Sequence, residues 1–288
     1  MRVLIVSDIH ANLVALETVL RDAAAGGPIG ALWNLGDCVG YGPRPGECIA
    51  RLREMEALWV AGNHERACTG AIGTDDFNPD AAAAAQWTKQ RLSPEERAFL
   101  DTLPEVAEET ASDPGLKAGA ASGPVADPGL KAGAASGPIA DPSLKAGASR
   151  AGFTLVHGTL RQPIWEYLYS HEAAMGHLQL QRSPFGLVGH THVPLIVIED
   201  AGAPHGCELY RFGDGESVEL SGERRLVINP GSVGQPRDGD PRAAYAVYDT
   251  ESAGVTLHRV EYEIATTQKR MEEEELPRRL IDRLTLGR

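Results

Sequence analysis

Three times in the opening 63 residues an apolar run suited to a buried strand breaks off into polar residues, in "VLIVSDIH", "ALWNLGD" and "ALWVAGN". Between these runs lie helix-spaced apolar residues. Leu13, Leu16, Val19, Leu20 and Ala23 recur on one helical face until Gly26-Gly27-Pro28 stops it, and Cys48, Ile49 and Leu52 mark a second helix after the loop "CVGYGPRPG". Strand and helix alternating in this way predict a βαβαβ unit, with parallel strands joined by right-handed crossovers. Ligands of such sheets gather at the carboxyl ends of the strands. Asp8, Asp37 and Asn63 each stand at one of those ends. In extended chain Asp8 and His10 share a face, their backbones about 7 Å apart, so a carboxylate and an imidazole converge there.

Two helices follow the third strand, and the second opens with "SPEE". Ser93 at the N-cap, Pro94 at N1 and Glu96 at N3 form a capping box. Past residue 150 the pattern is mostly strands, from "GFTLVHG" and "FGLVGHTH" through "PLIVIED", "CELYRFGD", "RLVINPG" and "AAYAVYD" to "GVTLHRVEY". One last helix, with glutamates at 272–275 and arginines after them, reads as a solvated face. A strand at about residues 105–110 is expected to pair with the one starting near Gly152. Between them, residues 113–148 hold a fourteen-residue repeat, "DPGLKAGAASGPVA", copied once with Ile for Val and once in part. Each unit offers one Leu and one Val or Ile for burial, too little to offset its ordering entropy. The repeat is therefore read as a surface insertion in one domain spanning residues 1–288.

At 288 residues the chain can bury a full α/β core. A formal net charge of −13 sets an unfavourable average field for long nucleic acid, whose binding rests on Lys and Arg neutralising phosphates. Small anions remain possible partners where cations or metal ions are concentrated. Four cysteines, Cys38, Cys48, Cys68 and Cys207, show no paired spacing and are expected to be buried and reduced. The apolar runs are strand-length, and the first residues lack the h-region of a signal peptide, which predicts a cytoplasmic protein without a membrane partner.

Chemistry-bearing residues cluster at strand ends: Asp8 and His10, Gly36-Asp37, Gly62-Asn63-His64-Glu65, His157-Gly158 and Gly189-His190-Thr191-His192. Any one of them also reads as a turn former, a helix cap or a polar loop. Together, Asp8, His10, Asp37, Asn63, His157, His190 and His192 offer ligands for two divalent ions if one carboxylate bridges, at the roughly 3.5–4 Å separation of two-metal sites. Imidazole and oxygen donors without thiolate suit Mn²⁺ first, with Fe, Zn²⁺, Co²⁺ or Ni²⁺ as alternatives, over Ca²⁺. Asn12, Arg161 and Arg237 are candidates for contacts to a substrate phosphate. Tyr41, between two glycines, is a candidate to stack on an aryl group or nucleobase, or else a structural turn residue.

In order along the chain, "DIH", "GD", "GNHE", "HG" and "GHTH" resemble the motif set of the calcineurin-like metallophosphoesterases, over nearly the whole chain outside the repeat. The stretches "LGDCVGYGPRPGECI", "VHGTLRQPIWEYL" and "INPGSVGQPRDGDPRAAYAVYD" are similar to a small bacterial phosphodiesterase branch, often called diadenosine-tetraphosphatase-like. The resemblance implies an α/β fold, a four-layer α/β/β/α sandwich of two mixed sheets flanked by helices. It implies one metal on Asp8, His10, Asp37 and His192 and another on Asp37, Asn63, His157 and His190, with a hydroxide between them as attacking group. His64 then donates the proton to the leaving oxygen, oriented by Glu65 or by a backbone carbonyl. The activity expected is hydrolysis of a small phosphodiester or nucleotide. Phosphomonoesterases, protein phosphatases and nucleases share the superfamily, as does a retromer subunit serving as a scaffold whose relatives lack the histidine of "GNH".

Overall fold

The computed structural model describes residues 1–110, 152–221 and 223–288. In strand β1 (Arg2–Val6) both faces are buried, as a β-branched run without polar alternation requires. Strands β2 (Ile29–Asn34) and β3 (Ala57–Trp59) extend it in parallel, giving the order β3-β2-β1. Helices α1 (Leu13–Ala25) and α2 (Pro45–Arg53) make the two crossovers and bury the residues that the periodicity singles out, except Leu13, which is half-buried. On the other side of β1, strand β11 (Ala243–Asp249) pairs antiparallel and is followed by β12 (Gly254–Val260) and β9 (Ser217–Glu219). The sheet is mixed and six-stranded.

A second six-stranded sheet runs β4-β5-β6-β10-β7-β8, from β4 (Val106–Thr110), β5 (Gly152–Val156), β6 (Phe185–Leu187), β7 (Leu195–Glu199), β8 (Cys207–Arg211) and β10 (Leu226–Asn229). Here β5, β6 and β10 are parallel, while β4, β7 and β8 run against their neighbours. Side-chain alternation sorts three layers of core. Val3, Ile5, Trp33, Tyr248 and Leu257 meet Phe153, Leu155, Phe185, Leu187 and Ile228 between the sheets. Leu4, Val6, Leu32 and Val247 face Leu16, Val19, Leu20 and Ala23 of α1 outside the first sheet. Val156, Val197 and Val227 face Ala174 and Leu178 of α6 (His171–Leu180) outside the second. The result is the expected four-layer α/β/β/α sandwich, in which truncating a fully buried inter-sheet ring such as Phe153 would cost about 3–5 kcal/mol.

Several elements differ from the sequence reading. Residues 63–69 form a short helix, α3 (Asn63–Thr69), so that α4 (Pro79–Arg91) and α5 (Pro94–Asp101) are the second and third helices after β3. Helix α6 lies in a region read as strands and supplies the crossover that parallel β5 and β6 need. The short strand β9 is also additional. The last helix is two, α7 (Ile264–Glu273) and α8 (Arg278–Leu286), because Pro277 lacks the N–H that would carry the first through. The capping box of α5 is as expected: Ser93 Oγ accepts from Glu96 N at 3.1 Å and Glu96 Oε2 accepts from Ser93 N at 2.7 Å. All four cysteines are free and buried, and among the described residues no helix is long and apolar enough to cross a membrane.

Strands β4 and β5 pair antiparallel, with Val106 opposite Val156 and Thr110 opposite Gly152. The repeat at 113–148, in the connection between them, lies outside the described residues. Removing one unit, Asp127 to Ala140, shortens that connection from about 40 to about 26 residues and eases closure by only ~0.4 kcal/mol. The deletion variant is expected to melt within a degree or two of the parent and to keep its activity. A fall of several degrees in a melting curve would show that the units contribute contacts of their own.

Candidate metal centre

The carboxyl ends of five parallel strands meet at one edge of the sandwich. Asp8 and His10 follow β1, Asp37 follows β2 and Asn63 follows β3, while His157 follows β5 and His190 and His192 follow β6. All seven side chains are buried. The sequence therefore places half of the site on each sheet, and the packing of the sheets brings the halves together. Local backbone makes the turns tight. Asp8, His10, Ala11, Asp37, Tyr41, His190 and His192 have φ between 48° and 64°, the left-handed region that non-glycine residues avoid. Among the described residues only Ala253 and Glu275 share this conformation without a glycine, so the strain is concentrated at the site.

Each imidazole is anchored by one ring nitrogen. His10 Nδ1 donates to Val39 O (3.1 Å), His157 Nδ1 to Leu35 O (2.8 Å), His192 Nδ1 to Gln235 O (2.6 Å) and His190 Nε2 to Trp165 O (3.1 Å). A carbonyl only accepts, so the anchored nitrogen carries the hydrogen and, in the neutral ring, the other nitrogen is bare. These bare nitrogens face one another in pairs. His10 Nε2 lies 3.2 Å from His192 Nε2, and His157 Nε2 lies 3.0 Å from His190 Nδ1. Two lone pairs at that distance repel unless a cation or a proton lies between them.

The carboxylates complete the two pockets. Asp8 Oδ1 is 3.2 Å from His192 Nε2, and Asp37 Oδ2 is 3.2 Å from His157 Nε2 and 3.8 Å from His10 Nε2. Asp8 Oδ2 is pinned by Ser7 Oγ (2.7 Å) and the His190 N–H (3.1 Å), which leaves Oδ1 buried without a hydrogen-bond partner among the described residues. Asn63 Oδ1 is likewise buried and unpartnered. Ligand atoms lie within 4.8 Å of one another in three groups: Asp8, His10 and His192; Asp37, His157 and His190; and His10, Asp37 and His64. Orphaned acceptors and paired bare imidazoles are the donor set that divalent ions fit.

Electrostatics of the bare site agree with this. Burial pushes the Asp8 carboxyl up to about 7 against the pull of His157. Burial also works against the Asp37 carboxylate, yet His157 and His64 hold it well below the usual range. His157 is raised to about 9, Asp37 and Asp8 overcoming its desolvation, whereas burial lowers His190 to about 3 and His10 and His192 well below 6.5. One proton is thus trapped between His157 and Asp37, where a metal ion would displace it.

His64 stands beside this cluster, its backbone N–H on Asp37 Oδ1 (2.9 Å) and its ring between Tyr41 (4.4 Å between centroids) and Phe77 (5.1 Å). Its Nδ1 is buried without a partner. Burial lowers its pKa to about 4, so without substrate the ring is neutral at pH 7. A Cβ on Gly40 would come within 2.2 Å of His64 Nδ1, so only glycine lets the loop approach this closely. Of the two groups that the resemblance offers for orienting His64, Glu65 or a backbone carbonyl, Glu65 turns both carboxylate oxygens to backbone N–H groups instead. Its Oε1 accepts from the N–H groups of Cys38 (2.7 Å) and Val39 (3.3 Å), and its Oε2 from those of Asp37 (2.8 Å) and Gly62 (2.8 Å). It ties the loop after β2 to the loop after β3. In Glu65→Gln either amide orientation sets an NH₂ against two N–H donors, so the variant is expected to lose about 2–4 kcal/mol of stability. Thermal melting should show this as a drop of several degrees, and an unchanged Tm would mean that the four bonds contribute little.

The four candidates for substrate contact divide. Arg237 reaches the site: its backbone N–H bonds His192 O (3.2 Å), its Nη2 donates to Gln235 Oε1 (2.9 Å), its guanidinium lies over the Tyr41 ring (5.8 Å to the centroid), and its buried Nε has no partner among the described residues. Among the described residues no carboxylate pairs with it. Tyr41 also lines the site, its ring 4.4 Å from those of both His10 and His64. Asn12 is engaged elsewhere. Its Oδ1 caps α1 on Ala15 N (3.2 Å) and accepts from Thr267, while its Nδ2 donates to Gly234 O and Tyr262, which leaves nothing to offer a substrate. Arg161 is paired with Glu166 and Glu172 on the outer side of α6. Sequence reading missed Trp165, Tyr167 and Tyr169, whose only signal is the aromatic density of "WEYLY", and Phe77, which stands alone in "TDDFNPD" without any signal. In the turn Asn229–Ser232, Asn229 Nδ2 braces the "GHTH" loop through Gly189 O (2.7 Å) and Thr191 Oγ1 (2.9 Å).

Two family models agree with this geometry. One, described as calcineurin-like phosphoesterase, matches residues 1–194, and one described as calcineurin-like phosphoesterase superfamily domain matches residues 137–253. The chain belongs to the calcineurin-like phosphoesterases. It is 40% identical to a metallophosphoesterase from Sphaerobacter thermophilus, whose crystal structure it matches with a TM-score of 0.78 over 100% of this chain and 99% of that one. It is also 33% identical over 285 residues to Uncharacterized protein MJ0912 of Methanocaldococcus jannaschii, covering 99% of this chain and 97% of the relative. The crystal structure of hypothetical protein PH1004 from Pyrococcus horikoshii shares the fold at 18% identity, with a TM-score of 0.70 over 100% and 98% of the two chains.

Proposed function

We propose that the chain is a phosphodiesterase working with two divalent ions, Mn²⁺ foremost, on a small phosphodiester. Asp8, His10, Asp37 and His192 would hold one ion, and Asp37, Asn63, His157 and His190 the other. The observation that carries this reading is the facing, at 3.0 and 3.2 Å, of the imidazole nitrogens that no backbone carbonyl anchors, with Asp8 Oδ1 and Asp37 Oδ2 beside them. Bound ions supply positive charge that polarises the phosphoryl group and lowers the pKa of water. The chain's own residues do the rest. Arg237 takes a non-bridging oxygen of the substrate, since its guanidinium has no carboxylate among the described residues. His64 hands the proton on its ring to the leaving oxygen, and the approaching phosphate anion raises its pKa from about 4 so that it can carry that proton. Tyr41 and Phe77 hold the ring in place.

The test is metal content together with hydrolysis of bis(p-nitrophenyl) phosphate, p-nitrophenyl phosphate and plasmid DNA in Mn²⁺. Turnover of the diester above the monoester, with intact DNA, is expected. No bound metal and no turnover would make the chain a scaffold, and a preference for the monoester would make it a phosphomonoesterase.

The trapped proton predicts how metal affinity varies with pH. Between pH 7 and pH 9, above the Asp8 carboxyl at about 7, the ion must displace the proton on His157, whose pKa is raised to about 9. Calorimetric Mn²⁺ affinity should therefore rise with pH across this window. Affinity flat between these two values would argue against His157 as a ligand.

A further inference from the structure

Beyond the metals, the mouth of the site carries an exposed aromatic ladder. The Tyr167 ring lies parallel to the His190 imidazole, 8° between planes and 4.0 Å between centroids, and Tyr169 stacks next to it at 5.7 Å and 20°. Both tyrosines are about half exposed, 45% and 53%, although Leu168 between them is buried. The ladder is rigid at both ends. Tyr169 Oη donates to Thr191 O (2.7 Å), and His190 Nε2 donates to Trp165 O of the same loop (3.1 Å). It also lies within the field of Arg237, which acts on Tyr41, Tyr167 and Tyr169.

An exposed face of two fixed tyrosines leading away from a candidate metal ligand has the form of a stacking platform, because a flat ring loses little entropy on docking to a fixed one. We infer that Tyr167 and Tyr169 select a phosphoester whose alcohol carries a planar aromatic group, a nucleobase or an aryl ring, which stacks on this ladder while Arg237 holds a phosphate oxygen. This rests on the phosphodiesterase reading and deepens it. The two tyrosines are specificity residues and take no part in proton transfer.

Adenosine 5′-phosphate and ribose 5-phosphate differ by the base alone, and their binding to the Mn²⁺-loaded protein can be read by titration calorimetry without any turnover. The wild type is expected to bind adenosine 5′-phosphate roughly tenfold to hundredfold tighter. In Tyr169→Leu and Tyr167→Leu this gap should close, while ribose 5-phosphate affinity and Mn²⁺ content stay at the wild-type level. Tyr167→Phe should keep the gap. Equal binding of the two phosphates by the wild type, or no binding of either, would overturn the inference. So would a parallel loss of both phosphates or of Mn²⁺ in the leucine variants, which would mean that the tyrosines only brace His190. Hydrolysis of bis(p-nitrophenyl) phosphate, which both readings require, separates them: its absence in the wild type sinks the phosphodiesterase, whereas its presence with equal binding of the two phosphates sinks the aromatic subsite alone.

Discussion

His64→Ala is expected to keep its metal ions and lose about 10²–10⁴-fold of its turnover on an alkyl diester, the usual range for removing a general acid. On bis(p-nitrophenyl) phosphate the loss should be much smaller, because p-nitrophenolate leaves without a proton. The basis is geometric. The Nδ1 of His64 is buried without a partner, and its ring is held by packing against Tyr41 and Phe77, so the group is positioned but uncommitted. The competing role is coordination, since His64 also forms a ligand group with His10 and Asp37. Elemental analysis beside the two rates decides between them. Loss of metal, or equal losses on both substrates, would make His64 a ligand.

Asp37→Asn should damage metal binding more than Asp8→Asn. Asp37 belongs to two of the three ligand groups, one with His157 and His190 and one with His10 and His64, whereas Asp8 belongs to one. A carboxylate shared by two ions also offsets their mutual repulsion, which an amide does not. The amide keeps the shape and can still accept the His64 N–H that Asp37 Oδ1 takes at 2.9 Å, so the fold should survive. Both ions should be lost from Asp37→Asn, with activity at background, while Asp8→Asn retains one. Two retained ions in Asp37→Asn would remove Asp37 from the bridge.

How much of this was legible depended on how local the cause was. The βαβαβ unit was readable because its strands are continuous apolar runs and α1 and α2 carry their buried residues at helical spacing, signals confined to a few turns. The box at Ser93 is more local still. Helix α6 escaped because Gly176 and His177 interrupt its apolar face. Its glycine is explained only by tertiary packing, the Arg161 side chain lying 2.6 Å from where a Cβ would stand. The break at Pro277 was visible in the sequence and was overlooked in favour of the charge pattern. At the site, residue type and position at strand ends pointed to the seven side chains that the fold gathers. What each polar group touches was not legible. Asn12 and Arg237 looked alike as phosphate binders, yet Asn12 is saturated by Thr267, Tyr262 and Gly234, more than 200 residues away in sequence, whereas Arg237 gives Nη2 to Gln235 and has no partner for Nε among the described residues. Glu65 gave no hint that it would gather four backbone N–H groups from two loops.

The left-handed residues at the site carry a consequence for how such a chain can change. Seven non-glycine residues there hold a backbone conformation costing on the order of 1 kcal/mol or more each, and six of them are aspartate, histidine or tyrosine side chains of the site itself. Glycine would relieve that cost at every one of these positions. Selection for sturdiness alone would therefore erode this site first, replacing the residues that chemistry needs with ones the backbone prefers, and drift toward an inert and more robust sandwich is the easy direction. This chain carries all six of those side chains at that cost in stability.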